Sequence, residues 1–393
     1  MSPYPTISPH VQILSVNGSD QSLVRLGDKT FYVSPLLALI LGAMRENTAF
    51  DVIRDRVNDA KLLSRAITRS ELEAIIANKI VSLGLSEDER SEQKVAGHDI
   101  YFKLRLIDFN RWRAVLPAAG AAFARPFFAG VFVLAALVSL GFVLLHSMGT
   151  EGFPVTENAT QVAALAMVLL VIGIAHELGH SSAAHYFGAK PGDIGIGLYI
   201  IFPVLYADVT DVWRLSARER VVVNLGGIYF QLLFNCVLIA LYGFMRQGQI
   251  ASLCLMLIYL NLGIVVVNLN PFMKFDGYWV LADAINMPNL RQDAYAYLGR
   301  LWSGKLRGAT ARSGLLPLYA GGMVLFNLLL IALIAGFYLK TLADVRTLLA
   351  PDGQAQWLSA QTAGLGISVL ILTVFSWRMV LMAWQYLRKS RQS

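Results

Sequence analysis

The sequence predicts a mainly α-helical, polytopic membrane protein with a small α+β domain at its N-terminus. Of the 393 residues, 56% are hydrophobic and 15% are charged, and the mean hydropathy is +0.54, so the chain is more apolar than an ordinary soluble domain. Long apolar stretches dominate the sequence after Pro126, whereas the residues up to about Arg113 have mixed polarity. This change predicts an N-terminal domain at 1–113 and a transmembrane domain at 126–393.

Short strands are predicted at both ends of the N-terminal domain. Apolar runs bounded by turn residues favour strands at 11–14, 23–26 and 30–33. Near the end of the domain, the residues from 98 to 107 alternate between apolar and polar. This alternation favours a last strand or a connector into the membrane.

About three helices are predicted between these strands. Ser34-Pro35 indicates the first helix start, because serine is a good N-cap and proline suits the first helical position. The segments 48–51 (Thr-Ala-Phe-Asp) and 68–71 (Thr-Arg-Ser-Glu) each have the spacing of a capping box. Together with the strands, these helices complete a small α+β unit.

About six stretches of the transmembrane domain are long and apolar enough to cross a hydrocarbon core of ~30 Å as helices. They lie at 127–148, 162–187, 221–244, 251–270, 315–339 and about 364–384. Their distribution along the chain predicts short connecting loops and a multi-pass topology in a lipid bilayer.

Basic residues predict that the N-terminal domain lies in the cytosol. Arg111, Arg113 and Arg125 precede the first span, whereas the loop at 149–161 contains no lysine or arginine. Residues 1–30 also lack the pattern of a cleavable secretion signal. We therefore expect a protein of the inner (cell) membrane of a prokaryote, with its N-terminal domain on the cytosolic side.

The net charge of +7 does not indicate a nucleic-acid partner. The basic residues adjoin apolar runs and are interrupted by acidic ones, so they suit lipid headgroups better than a phosphate backbone. The two cysteines, Cys236 and Cys254, both fall inside apolar runs. Their separation predicts neither a disulfide framework nor a thiolate metal site.

The second predicted span contains a His-Glu-x-x-His motif at 176–180. On a helix His176 and His180 lie about 40° apart on one face, so both imidazoles can reach one Zn²⁺. Glu177 projects to the rim of the same site, where it can take a proton from a water that the metal makes more acidic. His185 lies roughly 140° around the helix from His180 and cannot join the same ion.

The membrane setting favours a functional motif over an accidental one. A charged side chain near the centre of a membrane helix costs about 2.5–3.5 kcal/mol on the insertion scale. The second span carries a glutamate and two histidines, and metal binding would offset that cost. The motif therefore points to a metallohydrolase.

A catalytic zinc site usually has three protein ligands and one open position, so a third ligand is expected elsewhere. Asp276 is the best candidate, because it follows Pro271, which breaks the helix just after the fourth predicted span. A broken helix at membrane depth is tolerated where it faces protein or a watery cavity. The residues alone leave two alternatives open, namely Asp276 as a solvated loop residue and, as the third ligand, one of the rivals Asp193, Asp208 and Asp211.

Taken together, His176-Glu-Leu-Gly-His180 and the later segment 268–277 (Asn-Leu-Asn-Pro-Phe-Met-Lys-Phe-Asp-Gly) resemble the site-2 protease family of intramembrane zinc metalloproteases. The resemblance covers about 162–283. It implies one Zn²⁺ per chain, held by His176, His180 and Asp276. It also implies that Glu177 is the general base and that Asn268 binds the substrate carbonyl or its oxyanion.

The chain departs from that family at three points. Met273 stands where a proline is common, and Gly226-Gly227 followed by Phe230 stands where many members have Gly-Pro with a downstream asparagine. The two motifs also leave no room between them for the PDZ module of many bacterial members. Substrate recognition must therefore use something other than a PDZ module.

Two further resemblances suggest how a peptide is recognised. The segment 201–214 is similar to a stretch in the peptide zinc metalloprotease branch and could present an extended edge to which a substrate adds as a strand. The alternative is a plain cytosolic connector. The N-terminal domain resembles the PqqD-like winged-helix domains, which bind precursor peptides, and its alternative is a general adaptor domain.

The predicted reaction is hydrolysis of a peptide bond in a membrane-associated protein or in a ribosomally made precursor peptide. A competing hypothesis is a zinc-binding membrane transporter, or an immunity or binding protein without proteolytic activity. Six spans, a broken helix and intramembrane charges also fit transport. Glu177 discriminates between them, because a structural metal site or an ion path does not need a glutamate beside the first histidine.

Overall fold

The structure is a computed structural model that is mostly helical. It describes residues 7, 11–15, 22–26, 29–46, 48–60, 62, 65–76, 100–108, 111, 113–124, 126–147, 159–199, 202–245, 247–302, 314–348 and 373. The chain forms two compact units. The first contains the described residues of 1–98, 104–196 and 205–288, and the second contains those of 99–103, 197–204 and 289–393.

The N-terminal region begins with an antiparallel meander of three strands and continues with three helices. The strands are β1 (Val11–Ser15), β2 (Ser22–Leu26) and β3 (Lys29–Val33), and the helices are α1 (Pro35–Arg45), α2 (Phe50–Asp59) and α3 (Arg69–Ile75). β2 lies between β1 and β3. Apolar side chains of the sheet and helices form one buried core that includes Val24, Ile40, Leu41, Ile53 and Leu72. The predicted order of strands and helices is confirmed.

Two of the three predicted helix starts are confirmed. The Ser34 hydroxyl accepts a hydrogen bond from the Leu37 N–H, with Pro35 in the first turn. Thr68 and Glu71 form the reciprocal capping box in front of α3. The predicted capping box at 48–51 is wrong. α2 begins at Phe50, so Ala49 is the N-cap residue, and its methyl side chain cannot accept a hydrogen bond.

A second sheet has three strands in the described part of the chain. It contains β4 (Ile100–Ile107), β5 (Ile194–Tyr199) and β6 (Phe202–Ala207), in the order β4-β5-β6. β4 confirms the last predicted strand. It joins this sheet and not the N-terminal meander.

Five helices are long and apolar enough to span a membrane. They are α5 (Phe127–Ser147), α6 (Ala159–Tyr186), α7 (Ala217–Met245), α8 (Gln249–Asn268) and α11 (Leu315–Leu348), and the shorter helices are α4 (Leu116–Gly120), α9 (Asp276–Ala284) and α10 (Leu290–Trp302). These five confirm the first five predicted spans and show a polytopic membrane protein. The sixth predicted span, at 364–384, lies outside the described residues except for Thr373.

Glycines allow α6 and α7 to approach closely. A Cβ atom at Gly226 of α7 would lie 2.7 Å from the backbone oxygen of Gly179 on α6, and a Cβ atom at Gly179 would collide with the backbone of Gly226. Small residues at helix contacts permit this kind of close packing in membranes. Gly226 therefore sets the distance between α7 and the helix that carries the histidines.

Candidate metal centre

Three potential metal ligands converge inside the helical bundle. His176 and His180 come from α6, Asp276 begins α9, and one ligand atom of each lies within 4.8 Å of the other two. The two Nε2 atoms are 3.0 Å apart. Asp276 Oδ2 lies 3.2 Å from His176 Nε2, and Asp276 Oδ1 lies 3.4 Å from His180 Nε2.

These separations suit a single zinc ion. Zinc bonds of about 2.0–2.1 Å in a tetrahedral arrangement place neighbouring ligand atoms about 3.3 Å apart. Among the residues that the structure describes, Asp276 Oδ2 is buried and has no hydrogen-bond partner, although it lies close to His176 Nε2. A metal ion would satisfy this oxygen, so the residues present fit the metal that the sequence implies.

The Asp276 carboxyl is held in its charged form. Burial by itself would raise its pKa, but the imidazoles of His180 and His176 outweigh burial and lower the pKa below the ordinary value for aspartate. An ionised carboxylate beside two imidazoles is a suitable donor set for zinc.

Hydrogen bonds from α7 orient both histidines. His180 Nδ1 lies 2.8 Å from the Val223 carbonyl oxygen, and His176 Nδ1 lies 2.9 Å from Gln231 Oε1. A backbone carbonyl can only accept, so His180 donates through Nδ1 and keeps the Nε2 lone pair for a ligand role. Such partners fix the ring orientation of metal-binding histidines.

One face of α7 is shaped around the two rings. Gly227 lies between Val223 and Gln231 at four-residue spacing, so all three share the face toward α6. A Cβ atom at Gly227 would lie 2.5 Å from both His176 Cε1 and His180 Nε2. Gly227 therefore leaves room for the two rings.

Glu177 and Asn268 lie close to the ligand group. Glu177 is buried, and the backbone N–H of Ala207, at the end of β6, lies within hydrogen-bonding reach of its carboxylate. Asn268 is at the end of α8, and its Nδ2 donates to Gln231 Oε1 at 3.4 Å. Asn268 is thus one side chain away from His176.

The alternative aspartates make other contacts. Asp211 accepts a bond from the Lys190 N–H and pairs with Arg214, Asp208 accepts from the backbone and hydroxyl of Thr210, and Asp193 pairs with Arg105. His185 is exposed near the end of α6. Of the four aspartates considered from the sequence, Asp276 is the one grouped with the two histidines.

A buried ion pair anchors the helix that begins with Asp276. Arg220 of α7 is 2% exposed, and its Nε lies 2.7 Å from Asp283 Oδ1. Arg220 also donates to the Leu215 carbonyl, and Asn224 Nδ2 donates to Asp283 Oδ2. Since Asp283 follows Asp276 by two helical turns, this pair ties α9 to the same helix that orients the histidines.

Sequence reasoning did not identify Gln231, Arg220 or Asp283. Gln231, Asn235 and Asn261 are nevertheless amides inside apolar helices, and such residues in spans are costly and often functional. That signal marks them as candidates, but their partners depend on how α7 and α8 pack.

The fold and the site together define a polytopic membrane protein with a candidate mononuclear metal centre among its helices. A stretch of 109 residues, which is 28% of the chain, is 28% identical to a protein of Bacillus subtilis (strain 168) named "Putative peptide zinc metalloprotease protein YydH". The match spans 42% of that protein's own length. No protein-family model and no solved structure matches the chain.

Proposed function

We propose that this chain is an intramembrane zinc metalloprotease of the site-2 protease type. The observation that carries the proposal is the convergence of His176, His180 and Asp276 on α6 and α9, with Glu177 beside the first histidine. The name of the Bacillus subtilis relative supports a metalloprotease-like function in general. Helices of membrane-spanning length around the site support an intramembrane location.

Each nearby residue has a distinct role in peptide hydrolysis. Zinc at this centre would supply Lewis-acid polarisation of the scissile carbonyl and activation of water. Glu177 takes a proton from the attacking water as the new C–O bond forms, and gives a proton to the leaving amine as the C–N bond breaks. Asn268 Nδ2 donates one N–H to Gln231 and has a second N–H that can donate to the substrate carbonyl oxygen.

The edge of the second sheet suits an extended peptide. β6 is at the end of the described strand order β4-β5-β6, and its last residue, Ala207, lies within hydrogen-bonding reach of Glu177. A peptide that pairs with β6 would be held extended and would pass close to the general base. Extension matters because a helical substrate shields its peptide bonds from attack.

The N-terminal region supports a peptide substrate in a second way. Leu23 of β2 packs with Trp213 and with Trp279, which lies three residues after Asp276. β1 lies against the 3₁₀ turn Thr210–Arg214, so β3 is the edge of the meander left for a peptide strand in the described part of the chain. We propose that this region binds a ribosomally made precursor peptide from the cytosol and delivers it to the membrane site.

Metal content tests the proposed centre. We expect about one zinc per chain in the full-length protein purified in detergent, measured by elemental analysis, and its loss in His176→Ala and Asp276→Ala. Asp211→Ala is the matched control, because this aspartate pairs with Arg214 and is not grouped with the histidines. Full zinc content in Asp276→Ala would contradict the proposed ligand set.

Hydrolysis tests the proposed chemistry separately. With fluorescein-labelled casein as an unstructured probe, we expect Glu177→Gln to keep its zinc and to lose about 10²–10⁴-fold in cleavage rate, the usual contribution of a general base. A variant that keeps both zinc and cleavage would remove Glu177 from the mechanism. A zinc-loaded wild type that shows no cleavage at all would instead favour a transport or binding role.

A further inference from the structure

We infer that Gln231 and Asn261 are positioning residues that determine which nitrogen of His176 carries the proton. The inference rests on the proposed metal site and concerns how the chain prepares one of its ligands. It assigns a role to the chain of buried amides that connects Gln231 of α7 with Asn261 of α8.

The amide chain lies inside two membrane-spanning helices. Gln231, Asn235 and Asn261 are all at most 2% exposed. Gln231 Nε2 donates to Asn261 Oδ1 at 3.2 Å. Asn261 Nδ2 in turn donates to the Gln231 backbone oxygen at 2.9 Å and to Asn235 Oδ1 at 3.3 Å.

The backbone oxygen of Gln231 sets the direction of every bond in this chain. A carbonyl oxygen only accepts, so the amide nitrogen of Asn261 must face it, and Asn261 Oδ1 must therefore face the Gln231 side chain. Because Asn261 Oδ1 also only accepts, the Gln231 nitrogen must point at it. Gln231 Oε1 is then left to face His176 Nδ1 at 2.9 Å.

This direction fixes the His176 tautomer. A neutral imidazole has one N–H, and an acceptor at Nδ1 places the proton there. The Nε2 lone pair is then free, and Nε2 is the atom that lies 3.0 Å from His180 Nε2 and 3.2 Å from Asp276 Oδ2. If the Gln231 amide turned over, its nitrogen would face Nδ1, the proton would move to Nε2, and that nitrogen could not bind metal.

Zinc affinity of the full-length protein in detergent, measured by competition with a chelator, tests this role. Asn261→Leu removes the acceptor that holds the Gln231 nitrogen, so we expect about 10–100-fold weaker zinc binding, the usual cost of losing support for a metal ligand. Asn235→Leu is the matched control: it is a buried amide in the same chain, but the Gln231 backbone oxygen still orients Asn261. We expect it to bind zinc within a few-fold of wild type.

A rescue variant separates orientation from packing. In the double variant Gln231→Glu/Asn261→Leu, both carboxylate oxygens accept, so an acceptor faces His176 in either orientation and most of the affinity should return. Gln231→Leu alone removes the acceptor at His176 Nδ1 and should weaken zinc binding by a similar factor, which keeps the inference testable if Asn261→Leu does not fold. The visible absorption of bound Co²⁺ should likewise be altered in Asn261→Leu and restored in the double variant.

Three results would overturn the inference while leaving the proposed function intact. One is a wild type that binds zinc and an Asn261→Leu variant that binds it as tightly as Asn235→Leu. The second is a double variant no better than Asn261→Leu. The third is a Gln231→Leu protein that binds zinc as tightly as wild type. A wild type without zinc would instead overturn the proposed metal site and this inference together.

Discussion

Gly227 of α7 lies against the ring of His176, and a Cβ atom at this position would be 2.5 Å from His176 Cε1 and 2.6 Å from His176 Nε2. Atoms of neighbouring residues do not approach so closely, so either the ring or the helix would have to move. The same Cβ atom would lie 2.5 Å from His180 Nε2. Gly227 thus holds the space in which both imidazoles present their Nε2 atoms.

We predict that Gly227→Ala disrupts the metal centre without unfolding the protein. Alanine favours a helix over glycine by about 0.5–1 kcal/mol, so a loss of zinc in this variant would come from the site. Gly243→Ala on the same helix is the matched control, because a Cβ atom there meets nothing within 4 Å. Elemental analysis should find a large drop in zinc for the first variant and none for the second. Equal zinc contents would contradict the steric argument.

The Arg220–Asp283 ion pair leads to a prediction about stability. Asp283→Ala leaves a 2%-exposed guanidinium without its carboxylate, and breaking one side of a buried pair typically costs about 3–5 kcal/mol. Glu73→Ala is the control, because its pair with Arg69 is exposed and of i,i+4 type, which is worth about 0.3–0.5 kcal/mol. In thermal unfolding of the metal-free proteins in detergent, Asp283→Ala should therefore lower the unfolding midpoint much more than Glu73→Ala does.

A double variant shows whether the pair acts through its charge. Arg220→Met with Asp283→Leu removes both charges and should recover much of the stability lost in Asp283→Ala, because apolar replacements of buried pairs are often nearly neutral. If Asp283→Ala unfolds no earlier than Glu73→Ala, α9 does not depend on this pair.

Local signals in the sequence predicted the elements better than the contacts between them. The caps at Ser34 and Thr68 and the five spans follow from neighbouring residues and from apolar length, and they are confirmed. The spacing of His176 and His180 likewise fixes a shared helix face. Asp276, by contrast, is about 100 residues away, and only the packing of α9 against α7 decides which aspartate meets the histidines. For the same reason, the sequence did not predict Gln231 and its hydrogen-bond partners as residues of the site.

Metal removal should destabilise the wild type but not a ligand variant. Zinc at about 1,000 times its Kd stabilises a folded protein by about 4 kcal/mol if the unfolded chain does not bind it. Excess chelator should therefore lower the unfolding midpoint of the wild type and of Glu177→Gln, and leave His176→Ala unchanged. An equal response of the wild type and His176→Ala would show that the chelator acts elsewhere than at this centre.

The contact of the N-terminal meander with Trp213 yields a prediction about coupling. Leu23 is fully buried against Trp213, whose ring meets Trp279 at 6.1 Å between centroids and 84° between planes. Trp213→Ala removes most of this apolar contact, so β2 should exchange its amide hydrogens faster, as measured by hydrogen–deuterium exchange and mass spectrometry. The zinc content should stay unchanged, because Trp213 is not one of the three grouped metal ligands.

A control tryptophan shows whether the effect is specific. Trp302 is 95% exposed on α10, and Trp302→Ala should leave exchange in β2 as it is in wild type. If the meander holds the precursor peptide next to the membrane site, Trp213→Ala should also slow cleavage of a bound peptide more than cleavage of casein, which needs no docking. If exchange in β2 becomes faster but the cleavage rates of the bound peptide and of casein fall equally, the contact supports the active site itself and does not deliver the substrate.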